Sequence, residues 1–153
     1  MSDILSRIVE ETRRSLIAER LDLSARVETP PHRLSDALRG GRAGRPRIVA
    51  EIKAASPSAG TIVENPDVGS IAAAYRQGGA SAISVVTEPK FFLGSREWIA
   101  HASTTSGLPV VMKDFVIDPV QIERGVAAGA DGILLIAAIL DGDRLRDFVS
   151  RVH

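Results

Sequence analysis

The chain reads as an α/β protein built from repeated βα units, and three observations predict this. Four short apolar runs, at residues 48–52, 82–86, 110–112 and 132–136, are continuous rather than alternating, as expected of parallel strands buried on both faces. Each is followed by a loop and a segment with helical apolar spacing. Gly78-Gly79-Ala80, Gly107-Leu108-Pro109 and Gly129-Ala130-Asp131 precede the last three runs, reading as helix exits that turn back toward a strand.

The elements follow in order. Ile4, Leu5, Ile8, Val9, Leu16, Ile17 and Leu21 recur at helical spacing and predict an amphipathic helix over residues 3–21. Thr29-Pro30-Pro31 breaks it, a short helical piece follows near 34–39, and the Gly-rich stretch 40–46 is a loop by composition. The four strands then lead to helices near 67–77, 95–104, 119–128 and 141–152. This divides the chain into a helical extension, residues 1–46, and a βα portion, residues 47–153.

Right-handed βα crossovers in series give an open doubly wound sheet or a closed (β/α)8 barrel. A doubly wound nucleotide binder would carry a Gly-rich fingerprint after its first strand, and KAASPSAGTI, residues 53–62, is neither GxGxxG nor GxxxxGK[ST]. Functional-looking residues follow three of the four strands instead, as in a TIM-barrel-type fold whose site is assembled from strand ends. The fold class is therefore α/β of the (β/α)8 type, four βα units preceded by extra N-terminal helices.

Composition excludes several functions. At 153 residues, 44% hydrophobic and 25% charged, the chain can bury a core of ordinary size. Its formal net charge of zero offers no electrostatic footprint for nucleic acid or an anionic membrane. The first 47 residues are Arg-rich, but interleaved Asp and Glu make them a solvated face. No cysteine is present, which suits a reducing cytoplasm, and no run approaches the roughly 18 apolar residues of a membrane span. The N-terminus lacks the apolar stretch of a signal peptide. His32, His101 and His153 show no ligand spacing, so neither a metal nor a cofactor is expected.

Among nineteen Lys and Arg residues only Lys53, Lys90 and Lys113 are lysines, and each lies at or just beyond the end of an apolar run. An Arg-biased chain that keeps Lys at such places points to chemistry needing a compact, titratable amine. Glu51 lies two residues before Lys53, so both project from the same side of the first strand.

Four segments, IVAEIKAASPSAGTI, TEPKFFLGS, LPVVMKDFVIDPVQI and AAGADGILLIAAIL, together resemble successive signatures of the indole-3-glycerol phosphate synthase family, barrel enzymes of tryptophan biosynthesis. EIK with SPS, and MKDF, carry most of the specificity. The resemblance implies a carboxy-lyase that closes the indole ring of 1-(2-carboxyphenylamino)-1-deoxyribulose 5-phosphate with loss of carbon dioxide and water. It implies a general-acid role for Lys113, pairing of Lys53 with the substrate carboxylate, and Glu51 as their partner. It also implies substrate contacts from Ser56, Ser58, Phe92, Phe115 and Leu134. The same residues admit plainer readings: a structural Glu–Lys pair, a Ser-Pro-Ser turn, a core leucine at 134 and a solvent-facing Lys90.

A full barrel takes about 250 residues, and the resemblance covers the first half of the family's catalytic domain. The glutamate that the family carries on a fifth strand has no match here. The expectation is a truncated enzyme, weakly active or inactive alone, acting on a phosphorylated small molecule in the cytoplasm. The alternative is a non-catalytic half-barrel scaffold that self-associates through exposed sheet edges or pairs with a complementary half.

Overall fold

The computed structural model describes residues 3–18, 33–39 and 46–152. Two helices come first, α1 (Asp3–Ala18) and α2 (Arg33–Arg39). The βα portion begins with β1 (Val49–Ile52), a small hairpin of β2 (Ala55–Ser56) and β3 (Gly60–Thr61), and α3 (Val68–Gln77). It continues through β4 (Ala82–Val86), α4 (Glu97–Ser106), β5 (Val110–Lys113), α5 (Pro119–Ala127), β6 (Gly132–Ile133), a 3-10 turn at Ala137–Ile139, and α6 (Gly142–Val152).

The main sheet is parallel, with order β1-β4-β5-β6. Its strands stand side by side in chain order with no reversal, the arrangement of a (β/α)8 barrel rather than of a doubly wound sheet. Register decides which residues face which way. Ala50, Ile83 and Val110 are successive neighbours, as are Ile52, Val85, Met112 and Ile133. This face carries the core, packed against Val68 and Ala72 of α3, Ile99 and Ala102 of α4, Ile122 of α5 and Phe148 of α6. Burying each large side chain of this layer contributes about 1.5–3 kcal/mol.

Local chemistry sets the helix limits. Asp67 caps α3 by accepting from Ser70 N at 3.1 Å. Asp118 caps α5 in a capping box with Gln121, and Pro119 occupies the first turn, where its missing N–H costs nothing. The returns toward β4, β5 and β6 pass through Gly79, Gly107 and Gly129, all at positive φ (+86°, +66° and +89°), where a Cβ is penalised.

Several boundaries differ from the sequence reading. The fourth strand was expected over 132–136 but ends at Ile133, after which Leu134 N still donates to Met112 O at 2.9 Å. Beyond that bond the backbone turns into the 3-10 segment, since β6 is paired on one side only among the described residues. The segment after β1, expected as a plain loop, closes into the β2–β3 hairpin around Gly60, at φ +67°. Helix α4 begins at Glu97, not 95, because Ser95 Oγ accepts from Glu97 N at 3.2 Å and stays outside the helix. Residues 19–21 of the expected first helix, the Thr29-Pro30-Pro31 break, His32, residues 40–45 of the Gly-rich loop and His153 lie outside the described residues.

Candidate active site

The sheet face opposite the core carries the polar residues in layers. Glu51, Ser84, Val111 and Gly132 are direct neighbours across the four strands. One layer further toward the strand ends, Val86 stands beside Lys113, and continuing the register brings Lys53 and Leu134 to either side. Two lysines from different strands thus rise over one glutamate. At the other end of the strands, Leu34 of α2 reaches Gly132, where a Cβ would lie 2.5 Å from its Cδ2. Arg33 bonds Gly107 O at 2.9 Å and Asp131 at 3.5 Å, which seats α2 beneath the sheet.

Glu51 holds both amines. Lys53 Nζ lies 3.1 Å from Oε1, and Lys113 Nζ lies 2.5 Å from Oε2. Partial burial pushes the Glu51 carboxyl up, but the hydrogen bonds from Lys113 and Lys53 outweigh it and hold the group below its ordinary value. The strand is anchored here from behind, since the sole tyrosine, Tyr75 of α3, donates to Glu51 O at 2.8 Å. The lysine side chains remain 32% and 42% exposed, so the amines face an open mouth where a ligand can reach them.

The loops around the mouth bring the aromatic candidates together. Phe92, after β4, and Phe115, after β5, have ring centroids 5.9 Å apart at a tilt of 37°. Leu134, half-exposed, lies beside Lys113 by register, so the core reading of this leucine does not hold. Ser56 begins the Ser-Pro-Ser turn, and its Oγ accepts from Ala59 N at 3.1 Å and lies 3.4 Å from Ser58 Oγ. The turn-forming reading of Ser56 is therefore realised, while Ser58 is exposed. Lys90 projects outward to Glu11 of α1 as an ion pair, and Arg7 Cζ lies 6.0 Å from the Phe91 ring centroid, so α1 rests against the loop after β4.

Residues that sequence reasoning passed over set this geometry from behind. Glu88 is buried and accepts backbone bonds from Lys90, Phe91 and Phe92 at 3.0, 2.7 and 3.0 Å. Asp114 accepts from Thr87 Oγ1 at 2.6 Å and from Phe115 N at 2.7 Å. Burial pushes the Asp114 carboxyl up, the Glu88 charge adding to it, against the bonds from Thr87 and Phe115. Buried Gln121 accepts from Ile117 N and Asp118 N and donates to Phe115 O, clamping the segment after β5. A cavity of about 220 Å³ lies behind these loops, between them and Thr12, Ser15 and Leu16 of α1. The signal for Glu88 was an acid just before a Pro-containing turn, a residue type that bonds backbone N–H groups a few positions on.

Residues 3–153 match the sequence model of the indole-3-glycerol phosphate synthase family. The chain belongs to this family. It is 42% identical over 152 residues to the indole-3-glycerol phosphate synthase of Chlorobium luteolum, covering 95% of this chain and 58% of that protein. It is 43% identical over 128 residues to that of Ruminiclostridium cellulolyticum, covering 84% and 48%. The match to the Albidiferax ferrireducens enzyme is 41% over 157 residues, covering 96% and 59%. The chain thus spans about half to three-fifths of the length of the curated relatives it matches. Among solved structures, a Schiff-base-forming fructose-1,6-bisphosphate aldolase aligns at 21% identity with a TM-score of 0.46, over 71% of this chain and 46% of that one, too distant to bear on function. No helix among the described residues is long and apolar enough to cross a membrane.

Proposed function

We propose that the Glu51–Lys53–Lys113 cluster serves the ring-closing chemistry of indole-3-glycerol phosphate synthases, on 1-(2-carboxyphenylamino)-1-deoxyribulose 5-phosphate. The observation that carries this reading is the pair of amines held by one carboxylate at a mouth walled by Phe92 and Phe115. When the aromatic carbon attacks the ketone, a C–C bond forms and negative charge collects on the ketone oxygen. The Lys113 ammonium delivers a proton to that oxygen, leaving a hydroxyl. The carboxylate then departs as carbon dioxide, its bonding pair restoring the ring, and the hydroxyl leaves as water with a proton from Lys53 while the methylene carbon on the ring nitrogen gives up a proton to solvent, its C–H pair closing the second double bond of the indole. Until then Lys53 holds the carboxylate as an ion pair. Phe92, Phe115 and Leu134 wall the carboxyphenyl ring, and Ser56 and Ser58 contact the substrate from the first loop.

Residues 1–46 act, on this reading, as a helical extension to the βα portion 47–153, and the setting is cytoplasmic. We expect weak or no turnover from these 153 residues by themselves, because the fifth-strand glutamate implied by the family resemblance has no match among them. The test is titration of the purified chain with the substrate, following its anthranilate fluorescence, beside Lys113→Ala and Lys53→Ala. Weakened binding in both variants, with unchanged melting, is the expected result. Variants that bind like the parent would overturn the assignment.

A second reading, self-association through the sheet edge, is favoured by the exposure of Ile48 and Val49 at the β1 edge, 53% and 44%. Sedimentation at twice 16.3 kDa would support it, and a monomer would end it.

A further inference from the structure

We propose that Glu88 is the positioning residue of the ring wall: one buried carboxylate behind the site sets the backbone of both loops that flank the amines. The inference rests on the proposed ring-binding role of Phe92.

Glu88 is 3% exposed. A carboxylate so buried is stable only if its oxygens are bonded, and here the partners are backbone N–H groups. Oε1 accepts from Lys90 N at 3.0 Å, and Oε2 accepts from Phe91 N at 2.7 Å and Phe92 N at 3.0 Å. The main chain returns as well, because Gly94 N donates to Glu88 O at 2.9 Å. The loop from 88 to 94 is wrapped around one side chain. Those three N–H groups belong to no strand or helix, so the carboxylate defines where the peptide planes of 90–92 lie.

The path continues past Phe92. Its carbonyl accepts from Ala55 N at 3.1 Å, and Ala55 opens the hairpin that carries Ser56. A chain of hydrogen bonds therefore runs from Glu88 through the Phe92 peptide to the loop after β1. On its other side, the Phe92 ring meets Phe115, whose N–H is held by the other strand-end acid, Asp114. The outer attachments of this loop, Lys90 to Glu11 and Arg7 to Phe91, each join an exposed cation to a partly buried group and define conformation far less.

Glutamate is required by its chemistry. It offers two acceptor oxygens and no donor, whereas glutamine of the same shape turns an N–H₂ toward at least one backbone N–H. Glu88→Gln thus perturbs the array at constant volume, and Glu88→Asp, which keeps both oxygens but withdraws them, serves if Glu88→Gln does not fold.

The experiment is NMR on the full chain, measuring amide exchange and ring contacts, with anthranilate as ligand probe. In Glu88→Gln the amides of Lys90, Phe91, Phe92 and Ala55 should exchange at least about tenfold faster, while those of Val85 and Met112 in the central strands do not change. The nuclear Overhauser contacts between the Phe92 and Phe115 rings should weaken. Anthranilate affinity should fall about tenfold or more at nearly constant melting temperature. Unchanged exchange at Phe92 and Ala55 would overturn the proposal. So would faster exchange confined to 90–92 with ring contacts and affinity intact, since Glu88 would then only close a local turn. Failure of the parent chain to bind anthranilate would sink the ring-site reading instead. Glu88 would then be judged by Ala55 exchange and the ring contacts alone.

Discussion

Lys113 on β5 and Glu51 on β1 meet at 2.5 Å across 62 residues of chain, with β4 lying between their strands. The contact skips a strand because Glu51 neighbours Ser84, a small side chain, which leaves room for the lysine to reach over from the next layer. Removing the lysine leaves Glu51 still paired with Lys53. For a partly exposed pair the loss is about 0–1 kcal/mol, so Lys113→Ala should melt close to the parent by calorimetry while losing substrate affinity. A large loss of stability would show that the pair is structural.

Two carboxylates should give acid stability profiles of opposite slope. Glu51 titrates below its ordinary value of 4.5 in the folded chain, so its contribution is fully present above that value and is lost as pH falls through the lower folded value. Asp114 titrates above its ordinary value of 3.8, so the folded state holds its proton more tightly. Its contribution is present below 3.8 and is lost as pH rises through the raised folded value. Across the acid range, Glu51→Gln should therefore fall behind the parent as pH rises, whereas Asp114→Asn should gain on it. Urea midpoints measured at successive pH values check both, and parallel curves would contradict the picture.

Gly94 is confined by backbone. A Cβ there would lie 2.2 Å from Val86 O and 2.9 Å from Thr87 Cα, and no side-chain rotation relieves such a clash. Gly94→Ala should cost about 1–3 kcal/mol by overpacking, and it should loosen the loop that carries Phe92. Denaturant unfolding gives the first quantity, and the spread of exchange rates at residues 90–92 gives the second.

Tyr75→Phe removes only the hydroxyl that donates to Glu51 O. The expected loss is about 1 kcal/mol, the net worth of one hydrogen bond. Because that bond steadies the backbone beneath Glu51, the variant should also bind substrate less well. Equal affinity in Tyr75→Phe and parent would confine the tyrosine to packing.

How much of this was legible beforehand varies by element. The strand at 82–86 was read to the residue, because its neighbours on both sides bury it and a continuous apolar run is the outcome. The strand at 132–136 was overextended, because LLI has the same composition whether or not a partner strand is there to pair with it. Lys53 and Lys113 stood out as rare amines at strand ends, and alternation put Glu51 on the same side as Lys53. Glu88, Asp114 and Gln121 were passed over. Apart from the Thr87 hydroxyl on Asp114, their hydrogen bonds go to backbone groups in loops, and no periodic pattern records such bonds.

By itself, then, the sequence determined the order of the main-sheet strands and their helices, the fold type, and which side chains could share the sheet's inner face. These depend on apolar periodicity, on glycine at the helix exits and on the content of the loops after the strands, all local properties. The tertiary structure alone decided the distances at which the two lysines meet Glu51, the tilt at which the Phe92 and Phe115 rings meet, and that a buried Glu88 carboxylate organises the loop that carries Phe92. Those contacts depend on register between strands and on where buried charges find backbone partners. Both are settled only when distant segments pack together and exclude water.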